Sequence, residues 1–404
     1  MKRYCLADFI CPLSGEPLQL IAIKEKPLDL SSSDKALLAR HGIAEQDAMS
    51  AVEEGILYSE QGGYWYPIVN FIPVLLDFPV DLHADFRERH ASGYPVLTSL
   101  KAPDGAPREG ELVVQQTFTR EWSLIDLDVI SFGLTPQQRD FFISLELDWP
   151  PGILERNKLR VLEVGCGSGF ESESLYRVTQ SPILGFDLNL ALLQKGHLLA
   201  DNPFINNSIC SLYRLPLRPK SFDIVYSSGV LHHTYSTVEG LKEILKFRRD
   251  DGLIYVWVYA REDSDYSLRA RAQWLLEDIF RPRIARLPQF WQNLVVEFLA
   301  RRHYRMYKRA GGYNPDKWRY KDSQHFIRDL WTPLFAHRQS FNEMIRLFLD
   351  LGMEYRLIDP KQYFDHMLWP LIGIGIRGVD PRGLRGSSDR RATSPAMADS
   401  PAET

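Results

Sequence analysis

The stretch Val161-Leu-Glu-Val-Gly-Cys-Gly-Ser-Gly169 constrains this chain more than any other. Aliphatic β-formers and one acid lead into glycines at 165, 167 and 169, and a helix-compatible run, 170–178, follows. The pattern reads as a buried strand, a tight turn and a helix N-terminus. Glycine tolerates positive φ and has no Cβ, so the backbone can come close to a ligand. The unpaired N–H groups at the helix start favour an anionic group. Such a turn holds a cofactor. Alone, it is compatible with a nicotinamide, a flavin or a methyl donor.

The surrounding sequence alternates in type. Strands are predicted at 160–164, 183–187, 208–210, 222–227 and 253–259, with helices at 170–179, 190–200 and 238–247 between them. This alternation indicates βαβ units, and hence an α/β, doubly wound, Rossmann-like sheet with its ligand at the carboxyl ends of the strands. Residues 261–338 interrupt it with helical runs at 267–280 and 289–309. In the second run Trp291, Leu294, Val295 and Phe298 recur at helical spacing. Beyond, a helix is predicted at 341–351 and strands at 354–358 and 371–377. The tail, 378–404, has no periodic order and is predicted to be disordered.

The first 80 residues read as a small α+β module: a charged helical stretch at 33–54, then short β-runs up to Leu76. Residues 81–150 read as a linker, with Pro103-Asp-Gly-Ala-Pro107, and a helical lead-in containing Phe118-Thr-Arg-Glu-Trp122. The main domain is placed at 151–377, with 261–338 as a helical insertion before the sixth strand. The cysteines are Cys5, Cys11, Cys166 and Cys210, so no disulfide framework is indicated and a reducing cytoplasm is expected. No apolar run approaches a membrane span. A net charge of −4 argues against a globally nucleic-acid-binding surface. The insertion departs from this balance, with 15 Lys/Arg against 9 Asp/Glu over 261–330.

Asp187 ends the second predicted strand, 18 residues after Gly169. An acid there can accept hydrogen bonds from ribose hydroxyls. The loop is G-x-G-x-G, not the dinucleotide G-x-G-x-x-G. Taken with Leu215-Pro-Leu-Arg-Pro-Lys-Ser-Phe-Asp-Ile-Val-Tyr-Ser-Ser-Gly-Val-Leu-His-His-Thr234 and Asp251-Gly-Leu-Ile-Tyr-Val-Trp-Val-Tyr259, it resembles the class I S-adenosylmethionine-dependent methyltransferases. The nearest resemblance is to the ubiquinone and menaquinone C-methyltransferase branch. It implies a seven-stranded sheet, S-adenosyl-L-methionine as cofactor, and a cofactor set of Glu163, Gly165, Cys166, Gly167, Gly169, Asp187, Leu188, Ser211, Leu212 and Ser228. Ser211 stands where the family has an acid that reads the adenine amino group. The N-terminal Cys11-Pro-Leu-Ser14, Gly55-Ile-Leu and Tyr66-Pro-Ile-Val-Asn-Phe-Ile-Pro-Val-Leu-Leu76 resemble the zinc-ribbon family of methyltransferase activators. Ser14 replaces one ligand and no second cysteine pair follows, so a degenerate, metal-free module is expected.

Methyl transfer from a sulfonium needs positioning and, for some nucleophiles, removal of a proton. His232 and His233 follow the fourth strand and are the candidate bases, against a packing or capping role. Trp122, Tyr259, Arg269 and His337 are candidate substrate contacts, Trp122 also by cation–π attraction. The basic insertion fits an anionic substrate, with RNA or an anionic membrane surface as variants, against a solvated helical face. The expected function is methyl transfer to an O, N or C nucleophile of a small or medium-sized metabolite. The alternatives are an RNA or protein methyltransferase and a non-catalytic cofactor-binding partner subunit.

Overall fold

A computed structural model describes residues 1–124, 134–261, 268–310, 316, 318–358 and 373–382. In chain order the N-terminal part holds β1 (Gln19–Pro27), α1 (Ser32–His41), α2 (Glu45–Ala48), β2 (Ser50–Ser59), β3 (Tyr64–Val69), β4 (Ile72–Pro73), α3 (Asp81–His90) and α4 (Val96–Ser99). Then come α5 (Glu111–Ser123), α6 (Pro136–Glu146), β5 (Val161–Val164), α7 (Phe170–Thr179), β6 (Ile183–Asp187), α8 (Gly196–Leu199), β7 (Ile205–Ile209), β8 (Phe222–Ser228), α9 (Thr237–Leu245) and β9 (Arg248–Tyr259). The insertion is α10 (Leu268–Ala285), α11 (Gln289–Ala310) and α12 (Tyr320–Trp331). The last elements are α13 (Phe341–Asp350), β10 (Glu354–Leu357) and β11 (Gly373–Val379).

Seven strands form the main sheet in the order β10-β11-β9-β8-β5-β6-β7. The pairs among β5 to β9 are parallel, and β11 runs antiparallel to both β9 and β10. The order reverses between β5 and β8, which opens a crevice at their carboxyl ends. Side chains alternate across a strand. Leu162, Val164, Leu184, Phe186, Val225, Ile254 and Val256 pack into one core, with α9 and α13. Their neighbours Val161, Ile183, Ile224, Tyr226, Leu253 and Tyr255 pack into the opposite one, with α6 and α7. Both faces are apolar, as a covered parallel sheet requires.

The N-terminal part is an antiparallel sheet, β1-β2-β3-β4, continuous with the first core through Phe9, Tyr66 and Leu75. Leu75 N–H donates to the Ile209 carbonyl at 2.7 Å, so the chain after β4 covers the edge strand β7. Cys11 Sγ lies 3.2 Å from the Tyr66 hydroxyl.

Several elements differ from the sequence reading. The helical stretch 33–54 is two helices followed by β2. Gly42, at φ 70°, ends α1, and β2 pairs with both β1 and β3. The start of the expected linker is instead a helical cover, because Phe86 of α3 and Leu97 of α4 pack against Ile56 and Trp65 of the small sheet. The helix expected at 190–200 is a 3₁₀ turn, Leu190–Gln194, and the short α8. A Cβ at Gly196 would sit 1.7 Å from the Asn70 carbonyl oxygen, so the N-terminal part presses on that segment. The third strand starts at Ile205, ahead of the expected 208, and runs through Asn206 and Asn207, whose polarity hid its first half. The final strand extends to Val379, past the expected domain end, and 383–404 lies outside the described residues. Helix α12 was not foreseen. Among the described residues, no helix is long and apolar enough to cross a membrane.

Candidate active site

A cavity of about 360 Å³ opens at the carboxyl ends of β5, β6, β8 and β9, roofed by α5, α11 and α12. Its floor is the glycine loop. Gly165, Gly167 and Gly169 have φ of 87°, 56° and 85°. A Cβ on Gly165 would approach Val230 to 2.0 Å, and one on Gly167 would approach the Trp122 ring to 2.6 Å. Only glycine fits these two positions. The Asp187 carboxylate accepts the Gly167 N–H at 2.7 Å and the Asn189 N–H at 2.8 Å. Burial pushes its pKa up, partly offset by those N–H groups. Helix α5 is tied over this end, with Gln115 donating to the Leu188 carbonyl at 3.2 Å and the Leu190 N–H donating to Thr119 at 2.8 Å.

The cavity wall brings together Gly165, Cys166, Gly167, Asp187, Leu188, Leu212, Ser228, Trp122, His232, His233 and Tyr259. Glu163, Gly169, Ser211 and His337 stand outside it. Glu163 is 1% exposed and accepts the Ser172 hydroxyl, its other oxygen having no partner. Burial, then the charge of Glu171, pushes its pKa up to about 8, so at neutral pH it is a carboxylic acid bracing the strand end. Gly169 caps α7, and a Cβ there would meet Leu199 at 2.6 Å. The Ser211 hydroxyl donates to Glu111 and accepts the Tyr213 N–H at 3.2 Å.

Glu111 is a residue that the sequence reading missed. It opens α5, is 7% exposed, lines the cavity and accepts the Arg108 N–H at 2.8 Å. Burial raises its pKa, while Ser211 and the Arg108 N–H oppose the rise. It therefore sets a carboxyl group beside Ser211, the position where the family resemblance would place an acid. Its place at the first residue of α5, 100 residues upstream of Ser211, gave no local signal.

At the other end of the cavity His232, His233, Tyr259 and Asp329 converge. The Tyr259 hydroxyl donates to Asp329, and His233 Nε2 lies 3.3 Å from the second Asp329 oxygen. His233 Nδ1 lies 2.9 Å from the Phe335 carbonyl. His232 stacks on Tyr259 with ring centroids 3.9 Å apart, and its Nδ1 accepts the Tyr259 N–H at 3.4 Å. Burial, and then His233 and Arg338, hold the His232 pKa well below its ordinary range. A neutral ring accepting at Nδ1 carries its proton on Nε2, and that atom has no partner. In this arrangement the open nitrogen of His232 is a donor, and both nitrogens of His233 face protein oxygens. For Asp329, burial raises the pKa, but His233 and Tyr259 outweigh it, and the carboxyl ends below its ordinary range.

His337 Nε2 contacts the Thr234 and Tyr235 carbonyls at 3.0 and 3.1 Å and fastens the lid's exit to the loop after β8. Arg261, two residues past β9, pairs with Glu343 at the surface. The side chain of Arg269 lies outside the described residues. Arg301, Arg302, Arg305, Lys308 and Arg309 are exposed and outside the cavity wall, so these five cations do not form an anion pocket there. The lid instead contributes His303, Tyr307, Trp318 and Phe326 to the wall. Tyr307 stacks on Trp318 at 4.1 Å and His303 on Phe326 at 4.6 Å.

Residues 162–256 match the family model described as a methyltransferase domain. The chain is 23% identical over 125 residues to a tRNA U34 carboxymethyltransferase of Saccharophagus degradans, covering 28% of this chain and 38% of the relative. It is 30% identical over 134 residues to the tRNA U34 carboxymethyltransferase of Pseudomonas paraeruginosa, covering 28% and 41%. It thus spans about two fifths of the length of these relatives. Among solved structures, Haemonchus contortus phospholethanolamine N-methyltransferase 2 aligns over 90% of this chain and 69% of its own, at 13% identity and a TM-score of 0.39. The segment that builds the glycine loop, Asp187 and the β8 end is therefore a class I methyltransferase domain on a Rossmann-like sheet, with S-adenosylmethionine as its cofactor.

Proposed function

We infer that the protein transfers a methyl group from S-adenosylmethionine to an O, N or C nucleophile of a small or medium-sized, largely apolar metabolite. The enclosed cavity carries this reading. It has a Cβ-free glycine loop at one end, a buried acid–base group at the other, and aromatic lid residues between. Sites for small molecules have this make-up of mainly apolar walls with few convergent polar groups.

The residues fit the cofactor. Gly165 and Gly167 leave room where any Cβ would clash, and the Asp187 carboxylate stands in the cavity wall where ribose hydroxyls would meet it. Leu212, Tyr213 and Glu111 wall the end assigned to adenine. Trp122, against the loop, offers a ring face to a cation. When bound, S-adenosylmethionine supplies an activated methyl group on a sulfonium. The chain's own task is to hold the acceptor in line and manage its proton. Asp329 is the proton acceptor in this reading. It is ionised, lines the cavity and keeps a lone pair on each oxygen beyond those met by Tyr259 and His233. His232 Nε2–H is a donor that orients the acceptor's oxygen or carbonyl.

The names of the relatives motivate a second reading, transfer to RNA. Their matches cover under a third of this chain, and the aromatic cavity favours the metabolite. Calorimetric titration with S-adenosylmethionine tests the cofactor assignment, and absence of binding by folded protein would sink it. Labelled methyl transfer into fractionated extracts tests the acceptor. Label is expected in the small-molecule fraction, and label confined to RNA would establish the second reading instead.

A further inference from the structure

The outer face of the lid hairpin is unlike the rest of the surface. Phe298 is 72% exposed, Phe290 65%, Leu275 61% and Trp291 55%. Trp291 and Phe298 line a shallow apolar groove between α10 and α11 that includes Leu287 and Leu294. Contiguous exposed apolar surface of this kind marks a place where something docks. The same helix face changes character along α11. Trp291, Leu294 and Phe298 lie on one stripe, and at 3.6 residues per turn Arg302, Arg305 and Arg309 continue it. Residues 283–309 hold seven Lys/Arg, all exposed, against one carboxylate, Glu297.

We propose that the outer face of α10 and α11 docks on an anionic lipid bilayer, with Trp291 and Phe298 entering the interface and Arg302 and Arg305 meeting the headgroups. An amphipathic helix with aromatic residues in its apolar part and cations beside them is suited to lie in such an interface. A second copy of this chain is a poorer occupant, because a two-fold contact through this patch sets its cations against their equals. RNA is also poorer, because the aliphatic Leu275, Leu287 and Leu294 among the aromatics give bases nothing to stack on. The inner side of α11 in the same hairpin, through His303 and Tyr307, walls the cavity. Docking thus sets the lid at the boundary from which an apolar acceptor would enter.

Cosedimentation of the full chain with vesicles tests this without any methyl transfer. The protein is expected to sediment with phosphatidylcholine–phosphatidylglycerol vesicles at about 0.15 M salt, less so as salt screens the cations, and weakly with phosphatidylcholine alone. The double variants W291S/F298S and R302E/R305E change exposed side chains and should keep the wild-type melting temperature. Each is expected to lower the vesicle-bound to free ratio by about tenfold or more. Failure of the wild type to bind anionic vesicles would overturn the proposal, as would undiminished binding by both variants. So would a concentration-dependent dimer, or a tRNA mobility shift, that W291S/F298S abolishes while vesicle binding persists.

Discussion

Replacing Glu163 with glutamine tests whether this acid braces the strand or holds the cofactor. Its folded-state pKa is about 8, against an ordinary value of 4.5. The folded protein therefore binds more protons than the unfolded chain between these values, and stability falls as pH rises through that window. At about 1.4 kcal/mol per pH unit, ~3 kcal/mol has been lost by pH 7. Glutamine keeps an acceptor for the Ser172 hydroxyl and cannot ionise. Glu163→Gln should match the wild type near pH 4 and gain stability progressively towards pH 8. At roughly 2 °C per kcal/mol for a large domain, its melting temperature should rise by about 6 °C at pH 7. The assay is differential scanning calorimetry across the pH range, with calorimetric titration of S-adenosylmethionine beside it. Cofactor affinity should change by less than about threefold, because the side chain is outside the cavity wall. Parallel stability profiles, or a variant less stable at pH 7 with weakened cofactor binding, would refute the reasoning and restore an ionised Glu163 facing the ligand.

Three further outcomes are expected. Asp187→Ala should weaken S-adenosylmethionine binding by roughly 1–3 kcal/mol, the value of lost hydrogen bonds to a charged acceptor, and an unchanged dissociation constant by calorimetry would exclude the ribose role. Glu111→Ala should weaken cofactor binding by about 1–2 kcal/mol and Glu111→Gln by less; because Glu111 and Ser211 share one hydrogen bond, the double variant with Ser211→Ala should be non-additive in a titration cycle, and strict additivity would uncouple them. Once an O- or C-acceptor is identified, Asp329→Asn should lower kcat by about 10²–10⁴ with little change in cofactor affinity. The wild-type acid limb should then lie below the ordinary carboxylate value of about 3.9, since the folded pKa is depressed. A limb near 6.5, the ordinary histidine value, would return the role to a histidine.

What was legible in the sequence is what local chemistry dictates. Glycines at alternate positions announced a loop with positive φ, and the apolar runs around it announced a sheet covered on both faces. Periodicity failed where tertiary contacts override composition. Strand β7 carries Asn206 and Asn207, which are buried: Asn206 accepts the Lys2 N–H at 3.0 Å, and Asn207 Oδ1 lies 3.2 Å from the Ser172 hydroxyl oxygen. Helix α12 was invisible because its buried face includes Asp322, Ser323, Arg328 and Asp329. A polar face turned inward looks, in sequence, like no face at all. The histidine pair was conspicuous because it is adjacent in sequence, whereas the groups that decide its chemistry, the Tyr259 N–H, the Phe335 carbonyl and Asp329, are not.

Glu111 and Asp329 share a position in the architecture. Neither belongs to the segment that matches the methyltransferase domain, and each closes one end of the cavity from outside the sheet. Glu111 reaches the loop after β7 from the helix that precedes the sheet. Asp329 reaches the loop after β8 and the end of β9 from the helix inserted after them. The sheet can therefore build the cofactor loop by itself, but the cavity is complete only when α5 and α12 are packed over it. The two helices also meet each other, since Glu121 of α5 lies 3.0 Å from His325 of α12 and Trp122 packs between that histidine and the glycine loop. Burial raises the Glu121 pKa, with His325 opposing the rise, so the contact between the helices is itself an ionisable pair. Removing one partner leaves the other buried without its counterpart, which is far more costly than replacing both. Cofactor site and acceptor site are thus mechanically joined through Trp122. A change at the α5–α12 contact should disturb both ends, whereas a change confined to Glu111 or to Asp329 should disturb one.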